Sequence, residues 1–342
     1  PAVRRISVVP WAGADAVFRG VRRKQNDRKE KGNTMVIIKV MGGLGNQLQQ
    51  YALYKKLESL GRDVRLDVSW FQDAGKNSAI LAHRNLELDY FENIEYRAAS
   101  PEEIRSVLGR LWEEPEAFVS RLRRKIMPGA DPCFQESGMY HEQVLRVTDK
   151  YLAGYWACEK YYADILQELR QQLHFPKCAD GQIQCRNEEM IEKMESTESV
   201  SVHIRRGDYL DAANSALFGG ISTEAYYDAA ISHMRRCFPE AVFYFFSDDI
   251  PYVREHYAGE AGGIIDWNQG ENSFYDMMLM SRCRHNICAN STFSFWGARL
   301  NAHNGKCMIR PSIHKNTQTC VPEQMKELWP GWTLITPSGD VL

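Results

Sequence analysis

Met35-Val36-Ile37-Ile38-Lys39-Val40-Met41-Gly42-Gly43-Leu44-Gly45-Asn46-Gln47 runs from an apolar segment straight into a glycine turn. Residues 35–41 are apolar except at Lys39, the pattern of a strand buried on both faces of a parallel sheet. Asn46 is placed to cap a helix whose apolar positions, Leu48, Tyr51, Ala52, Leu57 and Leu60, precede Gly61 as a stop. A second strand pattern follows at 64–68, so 35–68 spells one β-α-β unit of about 30 residues. The turn nearly satisfies G-x-G-x-x-G, but Leu48 stands in place of the third glycine, which a dinucleotide fold needs for close helix–strand packing. Gly43 and Gly45 remain candidates for letting backbone N–H groups and a helix N-terminus approach a polar ligand. The plainer reading is a tight turn without a ligand.

The same strand-then-helix order returns from Ser199. Strands are expected at 199–204, 242–246, 263–266, 285–289 and 306–310. Helices are expected from a Ser222 cap to Cys237, and at 251–257, 273–282 and 291–301. This alternation specifies an α/β chain with a doubly wound parallel sheet, whose sites lie at the carboxyl ends of strands. Residues 42–46, 205–208, 248–249 and 291–294 all fall there. The stretch 70–150 is less regular, with charged helices expected at 101–110 and 116–125; 151–155 then leads into a helix near 160–173. The polar stretch 178–198 carries the domain boundary, giving an extension over 1–34, a first domain over 35–190 and a second over 197–342.

The chain has 342 residues, 44% hydrophobic and 25% charged, with a formal net charge of -2. That composition describes a globular protein long enough for two domains, without the basic footprint of nucleic-acid binding. No apolar run approaches the roughly 20 residues that cross a bilayer. Nine scattered cysteines without a C-x-x-C point to buried thiols in a reducing compartment, hence cytoplasm, rather than to zinc or a disulfide framework. Residues 1–34 hold nine Lys/Arg against three Asp/Glu. They read as a disordered basic arm: contact with acidic lipid is compatible with it, and an upstream extension without function is the plainer reading.

Four motifs carry chemistry. In His203-Ile204-Arg205-Arg206-Gly207-Asp208-Tyr209, two adjacent guanidinium groups at a strand end call for an anion, and each fits phosphate oxygens bidentately. Asp208 adds a carboxylate beside them; the bland alternative is a surface Arg–Asp pair. Asn290-Ser291-Thr292-Phe293-Ser294 clusters three hydroxyls, on Ser291, Thr292 and Ser294, at a helix start where dipole and free N–H groups favour phosphate. An ordinary cap would need only one of them. Asn290 also opens a glycosylation sequon, which its expected interior position makes a false match. Asp248-Asp249 is not the D-x-D of metal-dependent nucleotide-sugar enzymes, a spacing absent from the chain, so it reads as ligand-bonding or helix-capping with no metal implied. His203 titrates in the range of a general base, yet alternates inward with Val202 and Ile204 and can equally orient a neighbour or contact a nucleobase. Trp156, Trp267, Trp296 and the tyrosine pairs 161–162 and 226–227 default to packing.

Together these residues resemble glycosyltransferase family 11, the α-1,2-fucosyltransferases, especially the bacterial branch. The matching pieces are Gly42–Gln47 with Tyr51-Ala52, Gly154-Tyr155-Trp156 through Tyr161-Tyr162, and His203–Tyr209. Phe246-Ser247-Asp248-Asp249, Asp266-Trp267-Asn268 and the run 276–301 complete the likeness, which covers 35 to about 312. It implies a GT-B fold: two Rossmann-like doubly wound domains facing across a cleft, the first on the acceptor side and the second holding GDP-fucose. It further implies inverting transfer to the 2-hydroxyl of a terminal β-galactoside, on a glycan or lipid-linked oligosaccharide, without metal or other cofactor. By position, Arg205 clamps the β-phosphate with Arg206 in support, and the 291–294 helix start binds the phosphates. His203 and one of Asp248 or Asp249 face guanine, and Asn46 the reaction centre. A carboxylate such as Asp208, or Asp211 in the same loop, could take the acceptor's proton, and the alternative for Asp208 is a strut that aims Arg205. Gln49, Phe295 and Arg299 depart from the family, which usually has Phe at the first and Trp at the other two; Arg299 puts charge where an aromatic is expected. A transferase of another fucosyl linkage, a non-catalytic nucleotide- or glycan-binding protein and a dehydrogenase are the competing readings. The expected setting is the cytoplasm, with peripheral contact at the inner membrane face.

Overall fold

The computed structural model describes residues 34–72, 84–109, 131–210, 212–318 and 321–342. The basic arm (save residue 34), the helix expected over 116–125 and Asp211 fall outside these residues, as does the side chain of Asp208. Among the described residues the chain forms two parallel sheets, each layered with helices. In the first, β1 (Met35–Lys39) is followed by α1 (Leu44–Ser59), β2 (Asp63–Asp67), α2 (Pro101–Leu108), β3 (Cys133–Gln135) and β4 (Lys150–Ala153), with α3 (Leu166–Gln172) after it. The strand order is β2-β1-β4-β3, all parallel. The apolar run at 35–38 takes a central place because its residues are buried on both faces. Ser100 caps α2 in a reciprocal capping box with Glu103, which explains its start at Pro101.

The second unit begins with α4 (Gly181–Ser196) and β5 (Glu198–Ile204), continues through α5 (Ala212–Phe218), α6 (Glu224–Cys237), β6 (Ala241–Ser247), α7 (Ile250–Tyr257) and β7 (Ala261–Ile265), and then α8 (Phe274–Arg282) and β8 (His285–Ile287). It ends with α9 (Thr292–Leu300), β9 (Met308–Pro311), α10 (Pro322–Leu328) and β10 (Trp332–Ile335). Its order, β10-β9-β8-β5-β6-β7, is the doubly wound 3-2-1-4-5-6 arrangement. The order reverses between β5 and β8, so a crevice opens beyond their carboxyl ends, where Arg205 and Ser291 lie. The two units together form the GT-B architecture.

Four details differ from the sequence reading. The last strand is β10, one strand beyond the expected one at 306–310, and α5 occupies a stretch read as loop. Thr223, not Ser222, caps α6 by accepting from Tyr226 N at 3.1 Å; the Ser222 hydroxyl instead donates to Asn290 Oδ1 at 2.8 Å. Met194 of α4 packs with Tyr244, Phe246 and Leu279, so α4 rides on the second sheet, although the sequence reading ran the first domain through residue 190.

An apolar core continues from one domain into the other. Tyr162 stacks on Trp296 at 5.9 Å, and Phe274 of α8 meets Tyr90, Phe91 and Phe175 at 5.1, 6.5 and 6.0 Å. Gly45 explains the closest approach: a Cβ there would lie 2.4 Å from the Thr292 carbonyl carbon and 2.6 Å from Phe293 N. The glycine turn of the first domain thus abuts the backbone at the start of α9, a role that dinucleotide motifs do not describe.

Candidate active site

A cavity of about 640 Å³ lies between the domains, within the range of small-molecule sites. Gly42, Gly43, Asn46, Arg84, Glu87 and Tyr155 line it from the first domain. His203, Arg205, Asp248, Asp276, Ser291 and Thr292 are among the residues facing them from the second.

The crowded arginines are separated by the fold. Arg205 reaches the cavity, with Nη1 2.9 Å from Asp248 Oδ2. Arg206 pairs its Nε with Asp249 Oδ2 at 3.0 Å and lays its guanidinium over the Tyr252 ring at 3.7 Å. Its backbone N donates to Asp248 Oδ1 at 2.9 Å. Partly exposed pairs of this kind contribute only about 0–1 kcal/mol, so their value is aim rather than stability. Asp249 caps α7 by accepting from Tyr252 N at 3.1 Å. Arg206 and Asp249 are therefore struts outside the cavity lining, while Arg205 and Asp248 are at its surface. Gly207 makes this possible, since a Cβ there would lie 2.5 Å from Asp248 Oδ2.

His203 lines the cavity from the end of β5, 6% exposed, with its Nδ1 unpartnered and its ring 5.9 Å from Phe293. Burial, helped by the Arg205 charge, pushes its pKa down to about 3. The ring is neutral at any ordinary working pH and acts as a hydrogen-bonding group, not as a proton shuttle near neutrality. At the start of α9, Ser291 is the N-cap residue yet its side chain makes no capping bond, so Ser291 and Thr292 open onto the cavity beside the helix N-terminus. Ser294 is buried and donates to the Ser291 carbonyl at 3.1 Å, so it belongs to the helix and not to the cavity. Asn290 is 1% exposed and holds Phe218 O and His314 O through Nδ2, at 3.3 Å each; the sequon is interior.

Asn46 lines the cavity from the first turn of α1, whose cap is Gly43. It is not itself the cap. Gly42, at φ 83°, leaves room for it: a Cβ there would meet Asn46 Nδ2 at 2.6 Å. Gly43 faces the cavity next to the Arg84 guanidinium. Tyr155 reaches the same wall because Glu136 Oε2 accepts from Tyr155 N and Trp156 N at 2.6 and 2.8 Å, holding Trp156 at φ 54°. Trp156 and Trp296 are wholly buried, and Trp267 donates Nε1 to Asn187 at 2.7 Å under the Arg186 guanidinium, so all three have packing roles.

A model of glycosyl transferase family 11 matches residues 143–336. WbnK of Escherichia coli, an O-antigen biosynthesis glycosyltransferase, is 30% identical over 286 residues, 79% of this chain and 91% of its own. The chain belongs to glycosyl transferase family 11. The α-1,2-colitosyltransferase of Escherichia coli is 29% identical over 288 residues, 82% of this chain and 92% of its own. A galactoside α-(1,2)-fucosyltransferase 1 of Ateles belzebuth is 31% identical over 103 residues, 30% of this chain and 28% of its own. The solved fucosyltransferase NodZ from Bradyrhizobium aligns at 13% identity over 78% of this chain and 92% of its own, with a TM-score of 0.44.

Within this cavity the fold also assembles groups that the motif reading passed over. Asp276 lines the cavity from α8, and burial pushes its carboxyl up to about 8, so it is protonated at neutrality and presents no charge to an anionic ligand. Asn268 donates to Asp276 Oδ1 at 3.0 Å and is itself braced by Asn187. His314 is half-buried beside Asn290 with its Nδ1 buried and unpartnered, and burial, aided by Arg310, brings it to about 3. Glu87 lines the first-domain wall, its pKa raised by burial against the opposing pull of Arg84 and the Leu44 N–H. Asp276 and Asn268 lay inside segments already matched by resemblance. Glu87 and His314 sit in irregular stretches where no periodicity marks them. Among the described residues no three His, Cys, Asp or Glu side chains are grouped as metal ligands, and no helix is long and apolar enough to cross a membrane.

Proposed function

We propose that the chain transfers L-fucose from GDP-β-L-fucose to the 2-hydroxyl of a terminal β-galactoside with inversion, without a metal ion. One observation carries the reading: the Arg205 guanidinium and the open N-terminus of α9, with Ser291 and Thr292, converge on one interdomain cavity at the switch point of the second sheet. As the bond from the fucosyl carbon to the β-phosphate oxygen breaks, negative charge grows on the diphosphate. Arg205 and the helix N-terminus are cations and donors already aimed there, and preorganised electrostatics of this kind are usually the largest catalytic contribution. Asp248 aims Arg205, and Arg206 with Asp249 holds that pair in place. Neutral His203 offers the donor a hydrogen bond without adding charge. The relatives named for α-1,2 transfer support the linkage, and WbnK, named for O-antigen biosynthesis, supports an O-antigen unit as one acceptor to be tested beside lactose and Galβ1,3-linked disaccharides.

The test is incubation with GDP-fucose and β-galactosides in EDTA, followed by linkage analysis of the product. An α-1,2-fucoside is expected, and Arg205→Ala should lower kcat by about 10²–10³ and weaken GDP binding. Near-native turnover in Arg205→Ala rejects the mechanism. Binding of GDP with no transfer to any acceptor identifies a binding protein instead. The colitosyl relative favours one second reading, a GDP-colitose donor, which a parallel incubation with that sugar nucleotide separates.

A further inference from the structure

An in-line displacement that inverts the fucosyl carbon is attacked from the face opposite the departing phosphate. The groups suited to the phosphate belong to the second domain, so the base that receives the acceptor's proton belongs across the cleft, on the first-domain wall. Three described carboxyl side chains line the cavity, Glu87, Asp248 and Asp276. Asp248 is occupied by Arg205 and the Arg206 N–H. Asp276 stands on the second domain, accepting from Asn268. Glu87 alone of the three stands on the first-domain wall, and its Oε2 is buried with no hydrogen-bond partner among the described residues. A carboxylate oxygen in that state is costly unless something arrives to bond it.

Its position is fixed by a built support. Gln47, wholly buried on α1, accepts from Glu87 N at 2.8 Å and Leu88 N at 3.2 Å through Oε1, and donates from Nε2 to Gly42 O at 2.8 Å and Asn85 O at 2.9 Å. All four groups of one amide therefore tie the segment 85–88 to the glycine turn. The Leu44 backbone N–H, at the start of α1, favours the Glu87 carboxylate against its burial. The titratable neighbours are Arg84, whose charge favours the carboxylate, and the Tyr90 phenol.

We propose that Glu87 is the catalytic base of the transfer, taking the place that the sequence reading offered to Asp208 or Asp211. The inference rests on the fucosyl-transfer reading above. The acceptor 2-oxygen forms its bond to the fucosyl carbon while the bond from that carbon to the β-phosphate oxygen breaks and its electron pair leaves on GDP. The hydroxyl proton passes to the Glu87 carboxylate. A carboxylate whose burial brings it nearer neutrality is the better proton acceptor at working pH.

The test compares wild type, Glu87→Gln and Asp208→Asn for kcat with GDP-fucose and lactose from pH 5 to 9, for GDP affinity and for the unfolding midpoint. Glu87→Gln keeps the size of the side chain and removes its charge. It is expected to lower kcat by about 10²–10⁴, to leave GDP affinity within about twofold, and to remove the acid limb of the pH–rate profile. Near-native kcat in Glu87→Gln, or an acid limb that persists in it and vanishes in Asp208→Asn, overturns the assignment. Loss of turnover together with tenfold weaker GDP binding also overturns it, because that is the signature of a distorted cleft. A wild type that binds GDP but transfers to no β-galactoside rejects the transfer reading and this inference with it. That result is distinct from an active wild type with an active Glu87→Gln.

Discussion

Gln49 sits on α1 with no exposure, and both its amide atoms lack partners among the described residues. An unsatisfied buried amide costs about 1–3 kcal/mol. Gln49→Met, similar in volume and without hydrogen-bonding demand, should raise the unfolding free energy by about that amount, read as a higher urea midpoint at unchanged slope. At this scale Arg205 was legible as a candidate for anion binding, because adjacent guanidiniums call for an anion whatever the fold. That Arg206 turns away to Tyr252, and that Ser294 turns inward, was not legible: one-residue differences in direction depend on which neighbours each side chain meets.

Elements follow the same division. The strand at 35–39 and the helix from 44 were written in apolar spacing, as were five strands and four helices of the second domain, since a parallel strand is apolar on both faces and a packed helix on one. The glycines were legible as a turn and not as a contact. Gly45 presses on the start of α9, some 250 residues away, and sequence periodicity carries no information across such a distance. Gly45→Ala should force α1 and α9 apart, costing about 1–3 kcal/mol as overpacking does, and should weaken GDP binding because the α9 N-terminus moves. Gly181→Ala, with open space around it, should leave both unchanged. Calorimetric unfolding and GDP titration of the two variants test the pair.

On the scale of the molecule, Arg299 is the residue that the sequence left as an anomaly and the structure explains. Wholly buried, it donates Nε to Glu159 Oε1 at 2.5 Å and Nη2 to Ala157 O at 3.0 Å, over the Trp329 ring at 4.7 Å. Trp332 Nε1 donates to the other Glu159 oxygen at 3.2 Å. The cation joins α9 to the segment at 157–159 of the first domain, clamping the cleft from behind. Removing one partner of a buried pair costs about 3–5 kcal/mol, whereas replacing both is far cheaper. Arg299→Leu should therefore destabilise the chain by about that amount, and adding Glu159→Gln should restore more than half of it. Additive losses in a double-mutant cycle would show that the two charges do not stabilise each other.

The linear chain settled its α/β class, its two-domain layout and the family 11 motifs, and marked the end of β5 as a candidate anion site, because each follows from local spacing, backbone conformational freedom or charge. Tertiary structure decided which arginine faces the cleft, that Gly45 joins the domains, that α4 rides on the second sheet, and that Glu87 shares a cavity with Arg205. Those outcomes depend on contacts between residues distant in sequence, and on burial, which no residue possesses until the two sheets have closed around it.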